Sequence, residues 1–533
     1  MHGMDLQFFG GATTVTGSRF LLSTSRARVL VDCGMFQGSP NDTMRNRIPL
    51  GFDPSALDAI LLTHAHLDHC GLLPVAVRDG YRGRIWATDA TIELARLVLL
   101  DSGRLHEEFS KRENRWERRN PGKVAEDDRL ERERFETIVA EATAAEAREA
   151  DDVVPAATPP HPDQDAEADL RRQPPAVEVD LDVPLYTEDD AKATLQHFAA
   201  IRYETETEVA PGIWATYHDA GHILGSAIIR LRVRDTDDAD DRYVVFSGDL
   251  GRPGTPIIRD PTSLVHADYV VVESTYGGRE HEPQEEALRI LRDTIRLVEE
   301  NDGVLLVPSF AIGRTQEIVW ELDRLIDRGE IPLLPLYLDS PMASKASDIY
   351  RRHPAYYDQQ TRDLLDAEGT PLDYPNQVVV NDARQSRELK HQPRPYMIVA
   401  SNGMLTGGRV VNHLRDLIDD PRAVLLFVGY QGEGTLGAHL QAGAKRVRIG
   451  SEMHDVRLQV RSISGFSAHA DESELLDWLR NFTTGKEPGD AGYPRRVFLV
   501  HGDPEAQVEL APKVAELGLE PYTPRWREQV ALE

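Results

Sequence analysis

With 533 residues and 41% hydrophobic content, the chain is long enough for two or three domains with cores of their own. No apolar run approaches the ~20 residues of a membrane helix, no basic-then-apolar signal opens the chain, and two cysteines exclude a disulfide framework, so a cytoplasmic protein is expected. A net charge of −29 argues against a broad basic face for nucleic acid, although the positive charge is nearly all arginine, the better phosphate fork.

Residues 4 to 34 read as a β-meander with glycine turns, its third strand ending in Val31-Asp32-Cys33-Gly34. Asp32 is placed to orient a metal ligand from behind, although a lone Asp before Gly is more often a turn residue. Cys33 and Cys70 read as small buried thiols. The apolar run Leu57–Leu62 predicts a buried strand that delivers His64-Ala65-His66-Leu67-Asp68-His69. At a strand exit His64 and His66 point the same way and can share one ion, while Asp68 and His69 serve a second. Imidazole and carboxylate ligands suit zinc, with manganese or iron admissible on ligand type. A solvated histidine cluster is the bland alternative.

A helix around Ile92–Leu100 leads into a Glu/Arg-dense, helix-compatible stretch from about 104 to 152, and then into a Pro/Asp/Ala segment from Val153 to Pro184 expected to be extended or disordered. Residues of about 110–184 together read as a peripheral insertion. Order resumes with a helix start at Tyr186–Ala191. Apolar strands then end in turn at Asp219-Ala220-Gly221-His222, Gly248-Asp249 and Glu273, each carrying a ligand or acid to its carboxyl end, where an open sheet builds a site. From about 284 to 446 helices and strands alternate, which predicts a separate parallel α/β domain. The final segment holds Phe466-Ser467-Ala468-His469 and a strand ending at Val500-His501-Gly502.

Taken together, the His-x-His-x-Asp-His loop, Gly248-Asp249, Glu273, Phe466–His469 and Val500–Gly502 resemble the metallo-β-lactamase superfamily, specifically its β-CASP branch of RNA-processing ribonucleases. That resemblance implies an α/β fold: an αββα sandwich from residues 1–283 and 447–533, interrupted by a β-CASP domain at 284–446. It also implies two zinc ions, with manganese possible: His64, His66 and His222 on one, Asp68, His69 and His501 on the other, Asp249 bridging. Two ions acidify a bridging water and clamp the oxygens of an in-line displacement at phosphorus. His469 is then the general acid for the leaving oxygen, with Glu273 orienting its ring, and Asp32 matches the family's first acidic position.

Two loops resemble family contacts to RNA phosphate: Pro308–Glu317, with Arg314 near a helix start, and Ser401-Asn402-Gly403-Met404-Leu405-Thr406-Gly407-Gly408-Arg409. A helix cap is the plain alternative for each. DNA-directed members of the branch lack a histidine at the position of His501, so its presence points to an RNA substrate. The competing readings are a DNA nuclease, a small-molecule hydrolase of the wider superfamily, and a non-catalytic scaffold; a homodimer is a family-level expectation.

Overall fold

Strand ends at one rim of the molecule carry every motif singled out above, and the topology explains how. The computed structural model describes residues 3–151, 183–236, 240–367, 369–429, 431, 432 and 434–532. Two seven-stranded sheets pack face to face. The first runs, in spatial order, Gln529–Leu532, Met4–Gly10, Arg19–Ser23, Arg28–Val31, Ala59–Leu61, Arg84–Ala87 and Phe198–Ala200. The second runs Pro521–Tyr522, Arg496–Val500, Tyr269–Glu273, Arg242–Phe246, Ala227–Val233, Ile213–Asp219 and Thr207–Ala210.

Alternation along the strands assigns each face. Val29, Val31, Ala59 and Leu61 meet Val244, Phe246, Val271 and Phe498 between the sheets. Leu30, Ile60 and Leu62 turn outward beneath the helix Asp89–Arg119, through Leu94, Ala95, Val98 and Leu99. Val245, Val270, Val272, Val497 and Leu499 turn outward beneath Glu472–Arg480 and Pro504–Glu516. Strands buried on both faces must be apolar throughout, which is why they read as continuous runs. The product is an αββα sandwich.

A third sheet is wholly parallel, in the order Gln377–Val379, Leu336–Asp339, Tyr396–Ala400, Val304–Pro308, Val424–Phe427 and Gln459–Ser462. Helices such as Gln284–Glu300 and Arg314–Asp327 cover one face, and Arg409–Leu417 covers the other. Its last strand lies beyond residue 446, so the inserted α/β unit borrows a strand from the segment that completes the sandwich. Ile312, Trp320, Ile349 and Tyr350 share a core with Ile223 and Leu224, which fixes this unit against the sandwich.

The charged region is more continuous than its composition suggests. Asp89–Arg119 is one helix, so the break expected near 110 falls inside it, and Pro121–Asp151 forms a second. Ile138 and Ala142 of the second helix bury against Ile48, with Met44 and Trp526 packed alongside, so this arm is docked and not merely solvated. The Pro/Asp/Ala segment from Val153 to Pro184 lies outside the described residues except for its last two positions. The next helix among the described residues is Glu188–Thr194, where Thr187 and Asp190 form a reciprocal cap. No helix among the described residues is long and apolar enough to cross a membrane.

Candidate metal centre and active site

In the second sheet, Arg242–Phe246, Tyr269–Glu273 and Arg496–Val500 are parallel neighbours, so Asp249, Glu273 and His501 leave the sheet at one edge. In the first, Arg28–Val31 and Ala59–Leu61 are also parallel and deliver Asp32 and the 63–69 loop. The strand stops at Leu61, short of the histidines, so strand alternation does not aim them. His66 is extended at φ −72°, ψ 151° and caps a single turn, Leu67–Cys70, which carries Asp68 and His69. Gly34 admits this loop: a Cβ there would stand 1.6 Å from the Asp68 carbonyl oxygen. Gly251 does the same for the His222 loop, where a Cβ would stand 1.7 Å from the Gly221 oxygen.

All seven predicted ligands converge. His64 Nε2 and His222 Nε2 each lie 3.1 Å from His66 Nδ1, and 3.4 and 3.5 Å from Asp249 Oδ2. On the other side, His69 Nε2 lies 3.2 Å from His501 Nε2 and 3.1 Å from Asp249 Oδ1, while His501 Nε2 is 3.6 Å from Asp68 Oδ2. The two oxygens of Asp249 therefore face two different clusters.

The far nitrogens of four ligand rings are spoken for, while His66 Nε2 is buried without a partner. His69 Nδ1 donates to Asp32 at 2.7 Å, His501 Nδ1 to Thr275 Oγ1 at 3.1 Å, His64 Nδ1 to Thr63 Oγ1 at 3.1 Å and His222 Nδ1 to the Ala468 carbonyl at 3.1 Å. Each bond fixes the tautomer whose lone pair points inward. Thr63 in turn donates to Asp32 at 2.8 Å. Asp32 and His501 sit at φ 58° and 50°, a left-handed backbone that costs a non-glycine residue on the order of 1 kcal/mol and clusters at functional sites. Sequence reading missed Thr63 and Thr275; only Thr63, adjacent to His64, carried any signal.

This donor set fits a pair of divalent cations. Ligands ~2.0–2.1 Å from a tetrahedral ion stand about 3.3–3.4 Å apart, and the contacts within each cluster span 3.1–3.6 Å. Burial drives the pKa of His64 down to about 3, and lowers those of His66 and His222, so these rings are neutral and no proton separates their lone pairs. On the other side burial lowers the pKa of His69, but Asp249 and Asp32 outweigh it and hold the ring well above the usual imidazole range, so a proton stands there where a cation would. Opposing lone pairs at such distances need a positive guest.

His469 stands beside the clusters, its Nε2 3.9 Å from Asp249 Oδ2 and its Nδ1 3.0 Å from Glu273 Oε1. Glu273 is fully buried and also accepts the Leu250 N–H at 2.7 Å. Burial lowers the His469 pKa, but Glu273, joined by Asp249 and Asp68, outweighs it and lifts the ring to about 9. The His469 and Asp68 side chains are 20% and 19% exposed against 0–3% for His64, Asp249 and His501, so the centre opens on their side. A cleft of about 350 Å³ next to it is lined by His222, Ile257, Gly313, Glu317, Tyr350 and Ala468.

The first predicted phosphate loop lines that cleft through Gly313 and Glu317 and meets the second where Phe310 lies against Gly403, and the arginines of both are ion-paired. The buried Arg314 guanidinium is closed on Glu317. Arg409 Nη1 lies 2.7 Å from Asp339 Oδ1 and also donates to the Val380 carbonyl. Asp339 is buried; that raises its pKa, but His413, Ser386 and Arg409 together hold it below the usual carboxylate range. Both guanidinia are ion-paired in the free protein, so a phosphate would have to be met by the donors these carboxylates leave over. In the second loop Ser401 Oγ donates to Ser340 Oγ at 2.9 Å, and Asn402 Oδ1 accepts the Met404 N–H at 2.8 Å. Gly403 lies under Phe310, nothing stands within 4 Å of a Cβ placed on Gly407, and Gly408, at φ 82°, starts the helix Arg409–Leu417 with no side-chain cap.

Comparison with known proteins agrees with this geometry. Residues 13–87 match the metallo-β-lactamase superfamily, 315–440 the β-CASP domain, and 453–524 a domain described as a Zn-dependent metallo-hydrolase RNA specificity domain. A ribonuclease of Thermus thermophilus is 33% identical over 98% of both chains. The transcription termination factor FttA of Methanosarcina mazei is 30% identical over 95% of this chain and 68% of its own length, and that of Methanocaldococcus jannaschii 28% identical over 97% and 69%. The chain belongs to the β-CASP branch of the metallo-β-lactamase superfamily, and is a metal-dependent hydrolase of that branch.

Proposed function

We propose that the protein is a zinc-dependent ribonuclease that hydrolyses RNA phosphodiester bonds with two cations. His64, His66 and His222 hold one, Asp68, His69 and His501 the other, and Asp249 spans both. The observation that carries this reading is the division of the Asp249 oxygens between two clusters of inward-facing nitrogens. Cations held there would supply Lewis acidity, lowering the pKa of a water and offsetting the charge that builds at phosphorus.

The chain's own groups do the rest. Asp32, Thr63, Thr275 and the Ala468 carbonyl hold the ligand rings in place before substrate arrives. His469 donates its Nε2 proton to the leaving oxygen, an alkoxide too basic to depart unassisted. Glu273 holds the opposite nitrogen and keeps the ring charged for that donation. The backbone of the Ser401–Gly408 turn and the uncapped N–H groups after it suit a phosphate of the same strand. RNA as substrate is supported by the matched RNA specificity domain and by the name of the Thermus relative.

The test is to load the protein with zinc or manganese, measure bound metal by mass spectrometry, and offer matched RNA and DNA oligonucleotides beside nitrocefin. Two equivalents of metal and RNA-selective cleavage are expected. Turnover of nitrocefin or DNA in preference to RNA would replace this reading. End-labelled RNA bearing 5′-triphosphate, 5′-monophosphate or 5′-hydroxyl then separates internal cutting from trimming by product length.

A further inference from the structure

An acidic protein whose predicted phosphate arginines are already ion-paired gains most from a contact to RNA that does not depend on charge. Arg314 is neutralised by Glu317 and Arg409 by Asp339, within a chain of net charge −29. Single-strand binding elsewhere divides its affinity between backbone charge and aromatic stacking. One aromatic ring is presented where stacking is needed. Phe310 is 38% exposed on the loop between Ser309 and Gly313. A lone exposed Phe is ordinary; the placement of this one is not. Its ring edge rests on Gly403 of the glycine-rich turn, where a Cβ would come within 3.1 Å of Cδ2 and Cε2. Three residues on, Gly313 abuts Ile223, the neighbour of the ligand His222, at 2.7 Å from a would-be Cβ. The loop thus spans from the metal centre to the glycine-rich turn.

The backbone under the ring is braced. The Phe310 carbonyl accepts both the N–H and the hydroxyl of Thr315, at 3.2 and 2.7 Å, and Ser309 N–H donates to the Ala400 carbonyl at 3.0 Å. From the opposite side Gln431 Nε2 donates to the Gly403 carbonyl at 3.1 Å. A ring that meets Gly403 through Cδ2 and Cε2 and stays 38% exposed costs apolar exposure in the free protein, a cost a stacked base removes.

We propose that Phe310 is the stacking platform for one unpaired base close to the cleaved linkage, and that this contact carries a share of RNA affinity independent of the arginines. The proposal rests on the ribonuclease reading and adds a base subsite to it. It implies single-stranded substrate, since a base inside a duplex offers no free face, and it implies a shallow dependence of binding on salt.

The experiment is a thermodynamic cycle on the metal-loaded full chain, using single-stranded RNA in which one abasic nucleotide is walked across the cut site. Phe310→Ala is expected to raise KM by roughly 10–100-fold with metal content as in the wild type. Abasic substitution at one position should cost the wild type a similar factor and the alanine variant little. Phe310→Trp should restore KM and Phe310→Leu should not, which separates stacking from packing and decides the matter if the alanine variant folds poorly. Equal sensitivity of wild type and variants at every position, with RNA still cut, would overturn the platform and leave the ribonuclease reading standing. A metal-loaded wild type that cuts no RNA overturns both.

Discussion

At the rim of the sandwich, imidazole nitrogens and carboxylate oxygens face one another across 3.1–3.6 Å, and around His64, His66 and His222 no proton separates the lone pairs. At the carboxyl edge of the third sheet, Arg314, Arg409, His413 and Ser386 are each closed on Glu317 or Asp339. Both places are dense in polar side chains at strand ends. The first leaves valence unmet and therefore asks for a guest; the second satisfies itself and therefore holds structure. Unmet hydrogen-bonding capacity in a buried place is the mark of a binding site, and polar density alone is not.

This contrast can be pressed from its strongest point to its weakest. Asp249→Ala removes the group common to both clusters, so metal content and RNA cleavage should fall together, measured by mass spectrometry and a labelled-RNA assay. Retention of both metals in that variant would dismantle the shared-carboxylate geometry. His469→Ala should keep both metals and lose about 10²–10⁴-fold in cleavage. Asp32→Asn, which loosens the hold on His69, should weaken metal affinity by about 10–100-fold in a chelator titration.

A subtler test uses pH. The His469 ring must be protonated to donate, so rate is present below its pKa and lost as pH rises through it. Glu273 lifts that pKa to about 9 against the pull of burial. Cations on Asp249 and Asp68 would cancel part of the same lift, drawing the alkaline limb somewhat lower. Glu273→Gln should move the limb further toward acid; an unmoved limb would assign it to another group. The smallest effect falls on the self-satisfied side. Arg409→Gln should destabilise the fold by about 1–3 kcal/mol, read as a lower Tm, because Asp339 loses a charged donor. If Arg409 held phosphate instead, the salt slope of RNA binding would flatten in that variant, and it should not.

Much of this was legible in residue order. The 64–69 loop, Asp249 and His501 each follow an apolar strand, and both sheets carry them to one rim because parallel neighbours end on the same side. The thin signals were Thr275 and the Ala468 carbonyl, since a threonine or a backbone oxygen that fixes a tautomer has no spacing of its own. Arg314 and Arg409 show the opposite limit. An arginine beside a glycine loop looks the same in a string whether its fork meets phosphate or a carboxylate, and Asp339 is seventy residues from Arg409.

Local order therefore determined the strands, the glycines that let loops approach, and the chemical types available at each strand end. Those follow from near-neighbour sterics and from which faces must be dry. Tertiary structure alone decided which donor met which acceptor where no motif spoke: His501 turned to Thr275, His222 to the Ala468 carbonyl, Arg409 to Asp339, Phe310 left exposed. Pairings between residues far apart in the chain depend on where whole sheets pack, and no local pattern encodes that distance.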